Sequence, residues 1–458
     1  MIDLAQFLGA KKETNRPPGP SPWERPKLLM QLRENTFETF ASVARAYESP
    51  LVAMPFLPGM TLYICNSPEA AQHVLQKNQK NYKKAFSYDF LKPVIGEGLL
   101  TSDGDTWLRQ RRLVAPLFHR KQIEGYGITM GATTEELLDE WEGFQEGSFI
   151  DLSAFMSQVT LSIAGKLLFG RDIGREARWI GDAMVLLFRD VNQRILNIFS
   201  LPRGIPTPYN RRIQKALDDL EGMVYGLIKE RRGKEEDHDD LLSLFMLARD
   251  EDTGKGMTDK EIRDELLTFV IAGHDTTSNL LTWAMYLLSK NPALRRELEE
   301  ETDRKVSGRV PTLDELKELK FTEAVLNETL RIYPPAWTVE REPIEDDVIA
   351  GFEVKAGNVV TVGPYFIHHN RQVWENPEGF DPSRFLGAEK RHRYAHFPFG
   401  GGPRKCVGAD FAMLEAKLLL AAMVKNFRLD LQAASFVEPE GTVTLYPRKG
   451  MPMALSRR

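Results

Sequence analysis

Cysteine is nearly absent. Among 458 residues only Cys65 and Cys406 occur. They lie far apart and form no C-x-x-C pair, which excludes a disulfide framework and a multi-thiolate zinc site and fits a reducing compartment. A surplus of positive charge is also missing: 60 Lys and Arg stand against 65 Asp and Glu, for a net charge of −5. No field exists to hold the phosphates of DNA or RNA. The first residues, MIDLAQFLGAKK, interrupt their apolar stretch with Asp3, Gln6 and Lys11, where a membrane span needs about 20 apolar residues and a secretory signal needs a basic start. Neither is expected, and the expected location is cytoplasmic. No repeat or long low-complexity linker divides the chain, and RRGKEEDHDD at 231–240 reads as a surface loop between helices. The expected organisation is an N-terminal segment over 1–26, in which Pro17, Pro18, Pro20 and Pro22 make a stiff extended lead-in, followed by one domain over 27–458.

What remains is a globular composition, 42% apolar and 27% charged, able to bury a large core. Apolar positions recur at helical spacing in PEAAQHVLQKN, TTEELLDEWEGF and RRIQKALDDLEGMVYGLIKERR. Two strand pairs stand out. One covers 51–65, LVAMPF and MTLYIC around Pro58-Gly59; the other is VIAGFEVKAGNVVTV at 348–362, with Gly351 and Gly357 as turn residues. The fold class is mainly α with small β-sheets.

The longest helix pattern is MTDKEIRDELLTFVIAGHDTTSNLLTWAMYLLSKNP. Thr258 and Glu261 make a capping box, Asn291-Pro292 ends the pattern, and at about 1.5 Å per residue it spans roughly 50 Å. Apolar on nearly every side from Leu266 to Ile271, it then meets AGHDTT. Gly273 costs about 1 kcal/mol against alanine inside a helix, and Thr276 can turn its hydroxyl to the Ala272 carbonyl. The pair predicts a bulge or groove at mid-helix, with Asp275 beside it as an acid. Read alone, an outward Asp and Thr beside a packing glycine is the simpler account.

HFPFGGGPRKCVGADF, at 396–411, sets Cys406 among glycines and cations just ahead of a helix pattern marked by Phe411, Leu414, Leu418 and Met423. A sulfur there meets the positive end of the helix dipole, with Arg404 and Lys405 adjacent, which favours thiolate over thiol. A thiolate is a metal ligand or a nucleophile. Gly400, Gly401, Gly402 and Gly408 clear side chains from around it, so that something flat and wide can approach. A lone cysteine is usually buried and inert; the charge pattern and the glycines argue against that here.

These residues resemble the haem-loop pattern F-x-x-G-x-R-x-C-x-G of the cytochrome P-450 haem-thiolate monooxygenases, at every fixed position from Phe399 through Gly402, Arg404 and Cys406 to Gly408. AGHDTT resembles that family's oxygen-groove pattern, ETLR at 328–331 its E-x-x-R, FDPSRF at 380–385 its meander, and WLRQR at 107–111 its W-x-x-x-R haem contact. The matches follow the family's order over nearly the whole chain. Ser383 departs from it, standing where the meander more often has glutamate, and His274 is uncommon between Gly and Asp. The resemblance implies the P-450 fold, a long central helix over haem b, Cys406 as the iron ligand, and Trp107, Arg111, Arg341, Phe399, Arg404 and Gly408 around the haem. Its arginines would pair with the propionates, since a planar guanidinium binds both oxygens of a carboxylate. Glu328, Arg331 and Arg384 would form a buried ion network that holds the cysteine loop. From their i, i+3 spacing alone, Glu328 and Arg331 would be an exposed pair worth about 0.5 kcal/mol or less.

The implied reaction is insertion of one oxygen atom from O2 into a C–H bond. Thiolate ligation favours O–O cleavage, as is general for this family. Thr276 would orient dioxygen and Asp275 would feed protons through water, with His274 a possible influence on proton supply. The resemblance lines an apolar substrate cavity with Phe86, Phe90, Leu91, Phe269, Ala272, Ala336, Trp337 and Val443, suiting a fatty acid, terpenoid, steroid or carotenoid. About 50 residues follow Cys406, fewer than an attached flavin or iron-sulfur domain needs. Electrons from NAD(P)H are therefore expected through a separate ferredoxin or flavodoxin-like partner and its reductase. Arg109, Arg112, Arg120, Lys121 and Lys405 would offer that partner a basic patch. A monomer is expected. Two other readings keep the same loop: a peroxide-driven peroxygenase, which typically lacks the acid-alcohol pair, and a non-enzymatic haem sensor or carrier, which needs no oxygen groove.

Overall fold

The computed structural model describes residues 15–196, 200–232, 240–387, 390–433 and 435–458. The centre of the loop expected at 231–240 lies outside the described residues. Helices dominate, and the longest, Asp259–Lys290, crosses the middle of the molecule. The expected capping box sets its start: Thr258 Oγ1 accepts from the Glu261 N–H at 3.2 Å, and the Thr258 N–H donates to Glu261 Oε2 at 2.7 Å. Leu266, Ile271, Leu281, Trp283 and Leu288 are all buried, so packing on every side holds this helix rather than one apolar stripe. Helix Leu152–Phe169 runs against it, and the Thr160 hydroxyl donates to the His274 carbonyl at 3.1 Å. By length and composition Leu152–Phe169 is apolar enough to cross a membrane, yet 67% of it is buried inside the fold, the mark of a core helix.

At mid-helix the Thr276 hydroxyl donates to the Ala272 carbonyl at 2.7 Å, as expected. The helix nonetheless stays α-helical through Gly273–Thr276, so the expected bulge is absent. The hydroxyl adds a second donor to that carbonyl without displacing the backbone amide. The groove comes from Gly273 instead, where a Cβ would meet nothing within 4 Å.

One five-stranded sheet flanks the helices, in the order Leu51–Pro55, Thr61–Cys65, Val359–Val362, Val339–Pro343, Tyr82–Lys84. Its first two strands form the hairpin expected over 51–65, with Leu51 facing Cys65. The second expected hairpin divides. Asp347–Ile349 pairs with Phe352–Val354 across Ala350-Gly351, while Val359–Val362 leaves to run parallel to Thr61–Cys65 and antiparallel to Val339–Pro343. All four of its residues are buried, as a valine-rich central strand requires. The proline lead-in docks on this region: the Ala53 N–H donates to the Pro18 carbonyl at 2.9 Å, and Asn15 Nδ2 donates to the Gly351 carbonyl at 2.6 Å. Cys65 is fully buried in the sheet, and burial alone pushes its thiol far above the usual range.

Candidate functional site

Cys406 lies between the short turn Gly402–Arg404 and helix Ala409–Asn426. Its N–H donates to the Phe399 carbonyl at 2.9 Å, closing 399–406 into a loop. The side chain keeps exposed surface although the residue is deep, because it opens on an internal cavity of about 470 Å3. Phe399, Gly400, Arg404 and Gly408 border the same cavity. A hydrogen bond from the Gly408 N–H and the nearby Arg111 and Lys405 draw the thiol toward ionisation, but burial is the largest effect and raises its pKa. The lowering expected from the sequence is therefore reversed by desolvation in the free chain.

The four glycines divide in two. A Cβ at Gly400 would meet nothing within 4 Å, and at Gly408 only a Phe118 ring carbon at 3.9 Å. At Gly401 it would strike the Tyr394 ring at 2.4 Å, and at Gly402 the Leu75 carbonyl oxygen at 1.9 Å. Only Gly400 and Gly408 keep the cavity open beside the sulfur. Gly401 and Gly402 let the outer side of the loop pack, which corrects the expectation that all four clear it.

Behind the loop, Glu328 and Arg331 on helix Lys320–Ile332 are wholly buried and joined by two hydrogen bonds, of 2.7 and 2.8 Å. Arg384 lies 3.4 Å from Glu328 Oε1, and the Asp381 N–H donates to that oxygen at 3.0 Å. Arg331 also donates to the carbonyls of His368, Pro377 and Gly379 at 2.9, 2.6 and 3.0 Å. From there the path continues to the cysteine loop: the Phe397 N–H donates to His368 Nε2 at 3.2 Å, and His396 Nε2 meets the Asn327 carbonyl at 3.2 Å. The i, i+3 pair is a buried strut rather than a solvated face, and Ser383 does not disturb it.

Cations gather where the sheet meets the cavity. Lys84, Trp107, Arg111, Arg341 and Arg404 all line it. Arg404 pairs with Asp103, donates to the Ser102 carbonyl at 3.2 Å and lies 4.3 Å over the Trp107 ring. Arg341 is buried and spends Nη1 on the Glu340 backbone carbonyl at 2.9 Å. Burial lowers the Arg111 pKa, with the Cys406 sulfur as the opposing group. Burial, Arg404 and Arg341 together press the Lys84 pKa well below the usual lysine range. Like charges held this close in a low dielectric call for an anionic ligand. Sequence reading missed Lys84; its signal lay in strand register, which sets Lys84 opposite Arg341.

Across the cavity, Phe86, Leu91, Phe269, Ala272, Thr276, Ala336, Trp337 and Val443 line the wall. Phe90 does not; its ring stands edge-on to Phe86, centroids 6.4 Å apart, one layer back. Asp275 is also off the lining. Its carboxylate accepts from Asn279 Nδ2 at 3.4 Å and from the Thr444 hydroxyl at 2.5 Å, and Thr444 does border the cavity. The acid therefore reaches the cavity through Thr444, which the sequence did not reveal, and not beside the Thr276 hydroxyl. His274 is buried with Nδ1 on the Val270 carbonyl at 2.7 Å and does not line the cavity.

The expected basic patch is smaller than its sequence. Arg109 pairs with Glu261 at 2.5 Å, and Arg112 with Asp250 and Asp252 at 2.9 and 3.0 Å. Lys121 and Lys405 remain exposed, and the Arg120 side chain lies outside the described residues.

The family model for cytochrome P450 matches residues 17–451. Among curated proteins, the chain is 32% identical over 373 residues to cyclooctat-9-en-7-ol 5-monooxygenase of Streptomyces melanosporofaciens, covering 80% of each chain. It is 32% identical over 399 residues to pentalenene oxygenase of Streptomyces avermitilis, covering 86% of this chain and 88% of that one. It is also 32% identical over 408 residues to putative cytochrome P450 132 of Mycobacterium tuberculosis, covering 85% and 87%.

Proposed function

The chain belongs to the cytochrome P450 family, a P450 monooxygenase with a haem-thiolate cofactor, and from that premise we propose that it hydroxylates a C–H bond of a mostly apolar small molecule with electrons from a separate ferredoxin or flavodoxin-like partner. The observation that carries this reading is the convergence on one cavity of the Cys406 sulfur, an unbalanced set of cations and the Thr276 groove. The residues present fit haem b. The open faces of Gly400 and Gly408 suit a planar ring beside the sulfur, and the excess of cations suits two propionates. Trp107, Arg111, Arg341 and Arg404 would hold those propionates, with Lys84 added as a fifth group. Cys406 would ligate the iron, and coordination deprotonates a thiol that burial otherwise keeps neutral.

Bound there, the cofactor supplies activation of dioxygen, one atom going to substrate and the other leaving as water with two electrons and two protons. The chain's part is to hold, exclude and deliver. Thr276 presents its hydroxyl at the groove left by Gly273, where it would hold and orient a proton toward the cavity in place of its hydrogen bond to the Ala272 carbonyl. Asp275 holds a proton relay behind it, and the Thr444 hydroxyl is the contact through which that carboxylate meets the cavity. Phe86, Leu91, Phe269, Ala336 and Val443 exclude water and position the substrate. Two relatives whose names give cyclooctat-9-en-7-ol and pentalenene as what they act on support an apolar, largely hydrocarbon substrate. Lys121 and Lys405 would dock the electron donor, and a cytoplasmic site and a monomeric state complete the proposal.

Cys406→Ser tests it. The variant should fold, since Cys406 contributes little buried packing, yet the reduced carbon-monoxide complex should lose its strongly red-shifted Soret band and turnover should fall to background. A mutant that kept the band would assign the iron ligand elsewhere and sink the proposal.

A further inference from the structure

Among the described residues the cavity lining is apolar apart from the cations described above, a handful of neutral polar groups and one carboxylate, Glu340. Glu340 lies on strand Val339–Pro343, next to Arg341. The antiparallel pairing ends with Lys84 opposite Arg341, and the turn Phe86–Phe90 that follows brings the Ser87 hydroxyl onto Glu340 Oε2. Ser87 borders the cavity too, on the segment Phe86–Phe90 that covers it. The bond therefore ties the covering segment to the sheet.

Among the described residues no cation pairs with Glu340. The neighbouring Arg341 uses its guanidinium on the Glu340 backbone carbonyl, not on the carboxyl. Burial raises the Glu340 pKa, and Ser87 is the one group that opposes it. Oε1 has no hydrogen-bond partner among the described residues, and Glu340 is half-buried on the cavity wall. A carboxyl half-satisfied in an apolar enclosure is among the costliest groups a fold can keep, and such groups mark places that recognise a ligand.

We propose that Glu340, held by Ser87, is a polar anchor that takes a hydrogen bond from a hydroxyl on an otherwise apolar substrate, so that the chain acts on an alcohol rather than on a bare hydrocarbon or a fatty acid. This rests on the monooxygenase reading for what enters the cavity, and it divides the substrate classes that fit an apolar pocket. A fatty-acid carboxylate brought to Oε1 would set two carboxyl groups side by side in a low dielectric, where both cannot be ionised without like-charge repulsion. An ammonium would face Lys84, Arg341 and Arg404 on the same cavity wall. A neutral hydroxyl meets neither obstacle: it donates to Oε1 when the carboxyl is ionised and accepts from it when protonated. The apolar remainder then lies along Phe86, Leu91 and Val443, and the length from hydroxyl to reacting carbon is fixed by where Glu340 stands.

The test is binding to the haem-loaded full chain, read as displacement of the distal water in the haem spectrum. The probes are 1-dodecanol, dodecane, dodecanoate and dodecyltrimethylammonium, with the tricyclic pair cedrol and cedrene as a rigid check. The parent should bind each alcohol about tenfold more tightly than its hydrocarbon, the upper end of what one ordinary hydrogen bond supplies. Glu340→Leu should bring alcohol and hydrocarbon within about twofold; Glu340→Gln, which keeps the shape and a carbonyl acceptor, should retain part of the preference. An alcohol preference unchanged in Glu340→Leu would overturn the anchor, as would a parent that favours dodecanoate or the quaternary ammonium. Failure of the broader reading looks different: the parent would then lack the thiolate Soret band with carbon monoxide, whatever its probe preferences.

Discussion

Around the cysteine loop, buried charge is paired. Glu328 meets Arg331, Arg384 and the Asp381 N–H, and Arg331 spends its remaining donors on three carbonyls. Two carboxyls at the central helix differ, although Asp264 on the same helix is paired with Lys260 and Arg263. Glu265 is buried with Oε2 on the Leu99 N–H and Oε1 unpartnered, and Glu415 faces Thr277 from helix Ala409–Asn426 while Glu415 Oε2 and Thr277 Oγ1 both lack a hydrogen bond among the described residues. The first region spends its polar groups on rigidity, because the sulfur must stay in one place. The second leaves polar atoms of two buried carboxyls unspent. A paired buried charge is expensive to break, whereas an unpaired buried carboxyl is neutralised by holding its proton.

The largest expected effect tests the first half of that contrast. Glu328→Gln leaves Arg331 buried without its counter-charge, and removing one partner of a buried pair costs about 3–5 kcal/mol. The variant should be recovered mostly without haem, with its thermal midpoint strongly lowered. Glu415→Gln, equally buried, should unfold no earlier than the parent at neutral pH. Equal losses in both variants, measured by thermal unfolding with haem-to-protein ratio, would erase the distinction between the regions.

Smaller is the effect at the groove, where folding should be untouched. Thr276→Ala removes the hydroxyl that lines the cavity but not the helix, which stays α-helical there without need of it. Product per reduced nicotinamide should fall several-fold with hydrogen peroxide rising to match, while haem content and reduction stay at parent levels. Asp275→Asn should slow turnover instead, since an amide keeps the hydrogen bond from Thr444 but cannot relay protons. Full coupling in Thr276→Ala would move proton control elsewhere. His274 is a poor heir, being buried off the cavity with its ring on the Val270 carbonyl.

The two regions also differ in how far the sequence reveals them. Cys406, Arg404, Glu328 and Arg331 sit in short motifs that mark the residues but not all their partners, since Arg404 reaches Asp103 and Arg331 reaches the carbonyls of His368, Pro377 and Gly379. Lys84, Thr444 and Glu340 come from strands and loops far apart in the chain, and only the pairing register and the closing of the fold bring them to one cavity. Asp275 and Phe90 show the limit from the other side. Their segments lie at the cavity, but side-chain direction depends on what packs behind: Thr444 and Asn279 hold the acid, and Phe86 takes the inner position. The bulge failed for a local reason, since a threonine hydroxyl can share a carbonyl without opening the helix.

Opposite pH dependences should separate the two regions most finely. On the cysteine side, burial lowers the pKa of His396 to about 4 and of His369 to about 3, and with neighbouring His396 and Arg331 presses His368 well below the usual range. These rings are neutral in the folded chain. As pH falls from about 6.5 toward 4, the unfolded chain binds protons that the folded chain refuses, so their contribution to stability is present above pH 6.5 and lost toward acid. Beside the central helix, burial raises Glu265 to about 7 and Glu415 to about 8. Here the folded chain keeps protons that the unfolded chain has released, so stability is highest below about pH 4.5 and declines as pH rises through 7 and 8. Denaturant midpoints of the haem-loaded protein should therefore fall on both sides of about pH 6. Glu415→Gln should flatten the alkaline limb and leave the acid limb in place, because an amide has no proton to give up and touches none of the histidines. An alkaline limb as steep as the parent's in that variant would show that Glu415 is already ionised in the fold, and the contrast between a paired region and a proton-holding one would lose its second half.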